Sequence, residues 1–183
     1  MMTADPRAEE VLAFWIEAGR EAWFEVDPEL DATIRARFGA LVAAAAEGEL
    51  DGWRADARGA LALLLLLDQF PRNIHRGSPR AFAADETARA VAEAAIGMGF
   101  DTAFEGDIRR FFYLPFMHAE DTACQERAIA LCAAAGDAEG ERYARHHADI
   151  IRRFGRFPHR NKALGRTPTP EEDRFLDEGG FSG

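Results

Sequence analysis

Apolar positions along this chain recur mostly at helical spacing. Leu30, Ile34, Phe38, Leu41 and Val42, for example, fall three to four residues apart, as on one face of an α-helix. Alanine and leucine are abundant and β-branched residues are few, which favours helix over strand. The pattern predicts eight helices: one from Pro6 to about Gly19, one from Pro28 to about Gly48, one each at about 53–70, 86–98, 101–112, 116–135 and 138–154, and a short one after Thr169.

Short sequence signals mark where several of these helices begin or end. The Asp-Pro pairs at 5–6 and 27–28 place a capping carboxylate before a proline at the first helical position. The segment Thr169–Glu172 is a capping box. We expect Pro71 to end the third helix and Asp85 to cap the fourth.

Eight helices with short connections predict an all-α protein built from antiparallel helix pairs, with residues 1–183 as one domain. Such pairs could stack as a solenoid with a concave binding face. The sequence shows no clean repeat of about 34 residues, however, so periodicity does not establish a solenoid.

The most apolar run, Leu61–Leu67, is followed by a cationic loop. A helix that is apolar on all sides is buried on all sides, so we expect the cationic loop to begin at the end of a core helix. Arginine recognises carboxylate or phosphate through paired N–H donors, which predicts an anion site here. The alternative is that Asp68 and Asp85 pair with these arginines. The candidate binding residues are Asp68, Gln69, Arg72 and Arg76.

A second polar cluster begins at Tyr113. If 116–135 is one helix, His118, Asp121 and Gln125 share a face. A carboxylate beside an imidazole raises its basicity, so His118 is a candidate general base oriented by Asp121 or Glu120. The alternative is that His118 is a satisfied, partly buried structural histidine.

The predicted helix at 138–154 carries the third cluster. Helical spacing puts Tyr143, His146, Ile150 and Arg153 on one partly apolar face, where His146 and Arg153 would need partners or a ligand. His147 is then expected to face solvent.

The segment after this helix is strongly basic. From Arg152 to Arg166 there are five arginines and Lys162 but no acid, although the chain carries a net charge of −10. This predicts either an external anion or acids supplied by other segments, with Asp68, Glu120 and Asp121 as candidates. The candidate binding residues are Tyr113, His146, Arg153, Arg156, His159, Arg160 and Asn161.

Two short segments resemble each other. Both 69–73 and 156–161 follow a helix end, contain Phe-Pro and continue into basic residues. We expect these two loops to meet, with His118 between or beside them.

The net charge and the lengths of the apolar runs limit the classes of partner that we expect the protein to bind. A chain with net charge −10 is a poor generic binder of nucleic acid or anionic membranes. Its apolar runs are too short to span a bilayer, and its start does not resemble a signal peptide. We therefore expect a cytoplasmic protein. Cys124 and Cys132, eight residues apart on one predicted helix, are expected to be free thiols.

Standard motifs for cofactors do not occur. The sequence contains neither a zinc-binding spacing nor a phosphate-cradling glycine loop, so no metal and no cofactor is expected. Oligomeric state is left undetermined by the sequence.

Several longer motifs resemble the bacterial domain-of-unknown-function family 924. The resemblance covers essentially the whole chain and implies an all-helical, tetratricopeptide-like fold. It implies no known activity, cofactor or partner. The motifs that carry it are Val11–Trp15, Trp23-Phe24, Leu67–Asn73, Arg76–Phe82, Phe112–Asp121 and Arg153–Asn161.

Three functions remain as hypotheses. The first is binding of an anionic small molecule, bearing phosphate or carboxylate, in a site lined by arginine and histidine. The second makes the same site a hydrolase that uses His118 as general base, with arginines stabilising developing negative charge. The third is a protein-interaction module that grips a peptide, including its carboxylate. The sequence does not decide between binding and catalysis.

Overall fold

A computed structural model describes residues 5–181, and every regular element in that range is helical. The predicted all-α class is therefore confirmed. Short 3-10 turns join the helices at several points. The α-helices are α1 Pro6–Phe24, α2 Pro28–Ala46, α3 Ala57–Leu64, α4 Phe70–Ile74, α5 Asp85–Gly97, α6 Leu114–Met117, α7 Thr122–Ala134, α8 Ala138–Phe154 and α9 Pro170–Asp177. None of the helices described is long and apolar enough to cross a membrane.

The contacts within the chain group into two compact units. The first comprises the residues up to Arg76 together with Arg80–Pro115, and the second comprises Gly77–Pro79 and the residues from Phe116 onward. The extent of the predicted single domain, residues 1–183, stays a prediction.

Three predicted helix starts are confirmed. Asp5 accepts a hydrogen bond from the Arg7 backbone N–H, and Asp27 accepts from the N–H groups of Glu29 and Leu30. At α9, both halves of the capping box between Thr169 and Glu172 are formed. These signals are local, because each cap satisfies N–H groups two or three residues away.

The first helix bends at its predicted end but continues. Gly19 has a left-handed φ of 80°, and the helix resumes as far as Phe24. The bend lets Trp23 stack on Trp15 at 6.0 Å, with its indole N–H donating to the Trp15 carbonyl at 2.6 Å. This pair belongs to the aromatic core of the first unit, with Phe111 packed edge-on against both rings.

The third helix passes the proline that was predicted to end it. Residues 57–74 form one continuous run, α3 and α4, joined by a π-helical turn at Leu65–Gln69. In that turn the Phe70 N–H donates to the Leu65 carbonyl, five residues back. The wider π turn accommodates the missing N–H and the ring of Pro71, so the prediction of a stop there was wrong.

Two other predicted boundaries were also wrong. Asp85 is not the cap of α5, because Ala84 occupies that position and the Asp85 carboxylate binds Arg72 instead. The predicted helix at 101–112 consists of two 3-10 turns, Phe100–Ala103 and Gly106–Phe112.

The predicted helix at 116–135 is interrupted at residues 118–121. Asp121 caps α7 by accepting from the Cys124 N–H at 2.8 Å. The buried Gln125 side chain donates to the carbonyls of Met117 and Ala119, both at 2.7 Å, and so holds the turn. His118, Asp121 and Gln125 consequently do not share a helical face as predicted.

The second unit contains a helical hairpin. Gly136, with a φ of 70°, turns the chain between α7 and α8, which pack against each other and must run antiparallel across so short a turn. Beyond α8, the side chains of Phe154, Phe175 and Phe181 pack on a core that contains Ile151 and Phe157. Both cysteines lie in α7 and neither forms a disulfide, as predicted.

Candidate functional site: a histidine–arginine cluster in the second unit

Three histidines and one arginine lie close together in the second unit. We call His118, His147, His159 and Arg160 the histidine–arginine cluster. His118 comes from the turn before α7, His147 from α8, and the other two from the 3-10 turn Pro158–Arg160. Arg160 is buried, donates to the His118 carbonyl at 2.9 Å and stacks over the Phe157 ring at 4.6 Å.

His147 lies on the buried face of α8, contrary to the prediction that it faces solvent. Its Nδ1 is 2.8 Å from the Tyr143 carbonyl, so that nitrogen carries the proton and donates. Its ring packs edge-on against Phe157 and Phe181. The face predicted from spacing alone was wrong, because His146 and Tyr143 are exposed.

Burial and positive charge lower the pKa of two of the cluster's histidines, His147 and His159. Burial, and after it the charges of neighbouring His118, His146 and Arg160, lower the pKa of His147 to about 4, although its hydrogen bond to the Tyr143 carbonyl acts in the opposite direction. The pKa of His159 is lowered to about 3. Burial is the largest cause, and the positive charge of Arg160 is the second. The Nδ1 atom of His159 is buried and has no hydrogen-bond partner among residues 5–181. The positive charge of Arg160 therefore acts on both rings after burial, while the Glu120 carboxylate acts on His159 in the opposite direction.

Glu120 supplies a carboxylate at the edge of this cluster. It accepts two hydrogen bonds from Arg166, at 2.6 and 2.9 Å, and one from the Phe157 N–H at 2.8 Å. Burial opposes ionisation of Glu120, but the bonds from Arg166 and Phe157 outweigh it and lower the pKa. Arg160 lowers that pKa further, so one carboxylate experiences two guanidinium charges. Sequence patterns did not single out Arg166.

A second carboxylate fixes the following loop. Glu172 is buried and accepts from Arg156 at 2.6 and 2.8 Å, from the Asn161 amide and from the Thr169 N–H. The Arg156 bonds lower the pKa of Glu172 to about 2. Arg156 and Asn161, both candidate ligand residues, are therefore held by an internal acid. Lys162, which follows them, is exposed.

Arg153 is also paired within the chain. It forms an exposed ion pair with Glu171 at 2.9 Å. The acids that neutralise the basic segment thus come mainly from α9 and from the turn before α7. The segment itself contains no acid, so the sequence offered no local signal for these pairs.

The remaining predicted ligand residues lie in the first unit. Arg72 bridges Asp85, at 3.0 Å, and the buried Asp68, at 3.1 Å, which is the internal pairing that the sequence left open. Burial opposes the charge of Arg72, but the two aspartates outweigh it and raise the pKa. Arg76 binds Asp31 through two hydrogen bonds.

Gln69 and Tyr113 belong to first-unit networks too. Gln69 donates to the Asn73 side chain at 3.2 Å, and Asn73 donates in turn to Asp31. The Tyr113 hydroxyl donates to Asp101 at 2.7 Å and accepts from Arg109 at 2.6 Å. Burial and the Asp101 carboxylate raise the pKa of Tyr113. The predicted meeting of the loops at 69–73 and 156–161 joins residues of different units and stays a prediction.

Two of the three proposed catalytic residues, Asp121 and Glu120, bind backbone N–H groups or an arginine. His118 is half-buried. The Asp121 carboxylate caps α7, and the Glu120 carboxylate binds Arg166 and the Phe157 N–H. Within residues 5–181, no group of three or more histidine, cysteine or acidic side chains could hold a metal ion.

The fold and this cluster define an all-helical protein with a buried arginine and neutral histidines in its C-terminal half. The chain belongs to DUF924, a family of bacterial proteins of unknown function, whose profile matches residues 11–180. It is similar to a solved structure of a protein of unknown function from Agrobacterium tumefaciens. That protein is 48% identical, the match covers 95% of this chain and 98% of that one, and the TM-score is 0.91. Comparison with curated proteins finds no match.

Proposed function

We propose that the protein binds an anionic small molecule, bearing a phosphate or a carboxylate, at the histidine–arginine cluster. The observation that carries the proposal is that buried Arg160 and three imidazoles are set together, with Arg160 lowering the pKa of both His147 and His159. Burial is the largest cause of both low pKa values, and the positive charge of Arg160 adds to it; that buried guanidinium charge is what would favour an anion beside it.

The chemistry of the cluster suits an anion. Guanidinium and imidazole N–H groups are hydrogen-bond donors to phosphate and carboxylate oxygens. The buried Nδ1 of His159 would gain a partner if it carried a proton toward a ligand oxygen. A bound anion would then raise the pKa of the neighbouring imidazoles.

This site is smaller than the one expected from sequence. Arg72, Arg76, Arg153 and Arg156 lie outside the histidine–arginine cluster and form ion pairs with acids of the chain, so we do not include them as ligand residues. His159 and Arg160 are the residues we retain from that set, with His118 beside them.

Thermal unfolding in phosphate and in acetate tests the proposal. We expect an anion that binds to raise Tm with concentration in the wild type, and Arg160→Gln to abolish most of that rise. Arg142→Gln is the matched control, because Arg142 lies on the same unit but is 72% exposed. Absence of stabilisation by either anion, or equal shifts in both variants, would show the proposal to be wrong.

A further inference from the structure

The ring of Phe181 lies among three histidine rings of the second unit. It packs edge-on against His147 at 4.6 Å, His159 at 5.1 Å and His146 at 5.9 Å. Two of these rings belong to the histidine–arginine cluster. Phe181 is only partly buried, so solvent reaches the place where its ring lies.

A two-glycine turn places this ring. Gly179 has a left-handed φ of 83°, and its N–H donates to the Leu176 carbonyl at 3.1 Å. The Gly180 N–H donates to the Phe175 carbonyl at 2.9 Å. A Cβ at Gly180 would come within 2.5 Å of that carbonyl oxygen and 2.6 Å of the Phe175 ring. The turn therefore requires glycine, and it aims Phe181 at the histidines.

The surroundings of Phe181 are suited to an aromatic ring next to an anion. Imidazole and phenyl rings favour edge-to-face contacts at these separations. Phe157 extends the same surface, at 5.6 Å from His147 and 5.7 Å from His159, and Arg160 stacks on it. An aryl group in this place would contact His147 and His159, and an acidic substituent directed toward Phe157 would approach the guanidinium that stacks on it.

We infer that Phe181 occupies an aryl subsite of the anion site, and that the ligand is an aromatic phosphate or carboxylate whose ring replaces that of Phe181. This inference rests on the proposed function, since the substituent must bind at the histidine–arginine cluster. Phe181 and the ligand ring then compete for one place. The segment 178–181 moves aside when ligand binds, and the rest of the second unit keeps its fold.

Paired ligands test the inference on the full chain. The chain has five histidines, so their ring NMR signals can be followed while phenyl phosphate, methyl phosphate, benzoate or acetate is added. We expect Phe181→Ala to bind the phenyl ligands about tenfold more tightly than the wild type, because removing a competing internal occupant raises the binding-competent fraction. Methyl phosphate and acetate should gain much less. Comparing the two phosphates with the two carboxylates shows which acidic group the site binds more tightly.

Two further variants keep the test decisive. Gly180→Ala displaces the same ring by its clash with Phe175 and should reproduce the gain. Phe24→Ala, at a 50% exposed phenylalanine of the first unit, should leave every affinity unchanged. An unchanged phenyl-to-methyl ratio in both Phe181→Ala and Gly180→Ala would overturn the aryl subsite. If neither methyl phosphate nor acetate shifts His147 or His159 in the wild type, the proposed function itself is wrong.

Discussion

His147 is a buried histidine that is uncharged in the folded second unit at neutral pH. Its pKa is lowered to about 4 by burial first and by nearby positive charge second. In the unfolded chain a histidine takes up its proton near pH 6.5. Between these two values the unfolded state binds more protons, so the contribution of His147 to stability is present above about pH 6.5 and is lost as the pH falls toward 4.

Replacing His147 should therefore make the free energy of unfolding fall less steeply as the pH is lowered. We expect His147→Gln, which retains a donor for the Tyr143 carbonyl, to remove up to about 3 kcal/mol of the stability lost between pH 7 and pH 4. Urea unfolding at a series of pH values measures this. Parallel profiles for variant and wild type would contradict the assigned pKa.

Individual residues also show which contacts the sequence could not reveal. His147 was expected in solvent because helical spacing does not show that Phe157 and Phe181 cover that face. The partner of Arg166 is Glu120, 46 positions away. Both arise from packing between segments distant along the chain, so no local pattern predicts them.

At the scale of elements, the start of α3 is fixed by a close contact with the preceding 3-10 turn. A Cβ at Gly59 would overlap the Trp53 carbonyl oxygen, whereas Gly39, within α2, has nothing within 4 Å of such an atom. The two glycines therefore respond in opposite directions to the same change.

Gly59→Ala should destabilise the fold by about 1–3 kcal/mol through overpacking. Gly39→Ala should stabilise it by about 0.5–1 kcal/mol, because alanine favours helix. Midpoints of chemical unfolding compare the two directly. A stable Gly59→Ala variant would show that the backbone can shift away from Trp53 at little cost.

Elements were predictable where their signals are local. The caps at Asp5, Asp27 and Thr169 act within three residues, and all three predicted helix starts are confirmed. Pro71 was misjudged because a π turn before it widens the helix. The break at 118–121 was missed because it depends on the side chain of Gln125 reaching back to two carbonyls.

At the scale of the whole molecule, arginines act as cross-links between segments in an acidic chain. The basic segment 152–166 contributes Arg152, which binds Glu126 and Asp149, and three more arginines that bind Glu171, Glu172 and Glu120. Its local excess of basic residues is therefore largely neutralised by acids brought from elsewhere in the fold.

The protein should consequently show no measurable binding to duplex DNA. With net charge −10 and its basic segment paired to acids, few phosphates would be neutralised and few counterions released. Fluorescence anisotropy of a labelled duplex at about 0.15 M salt measures this. Micromolar binding that weakens steeply with salt would refute the expectation.

The exposed Lys162 has a practical consequence. It is the only lysine in the chain, and it follows Asn161 in the loop that adjoins the histidine–arginine cluster. Amine-reactive dyes have one lysine side chain to modify, in addition to the α-amino group of the chain, so a fluorophore can be attached in this loop without engineering a new residue. That attachment point makes the native protein suitable as an optical sensor for whatever enters the cluster.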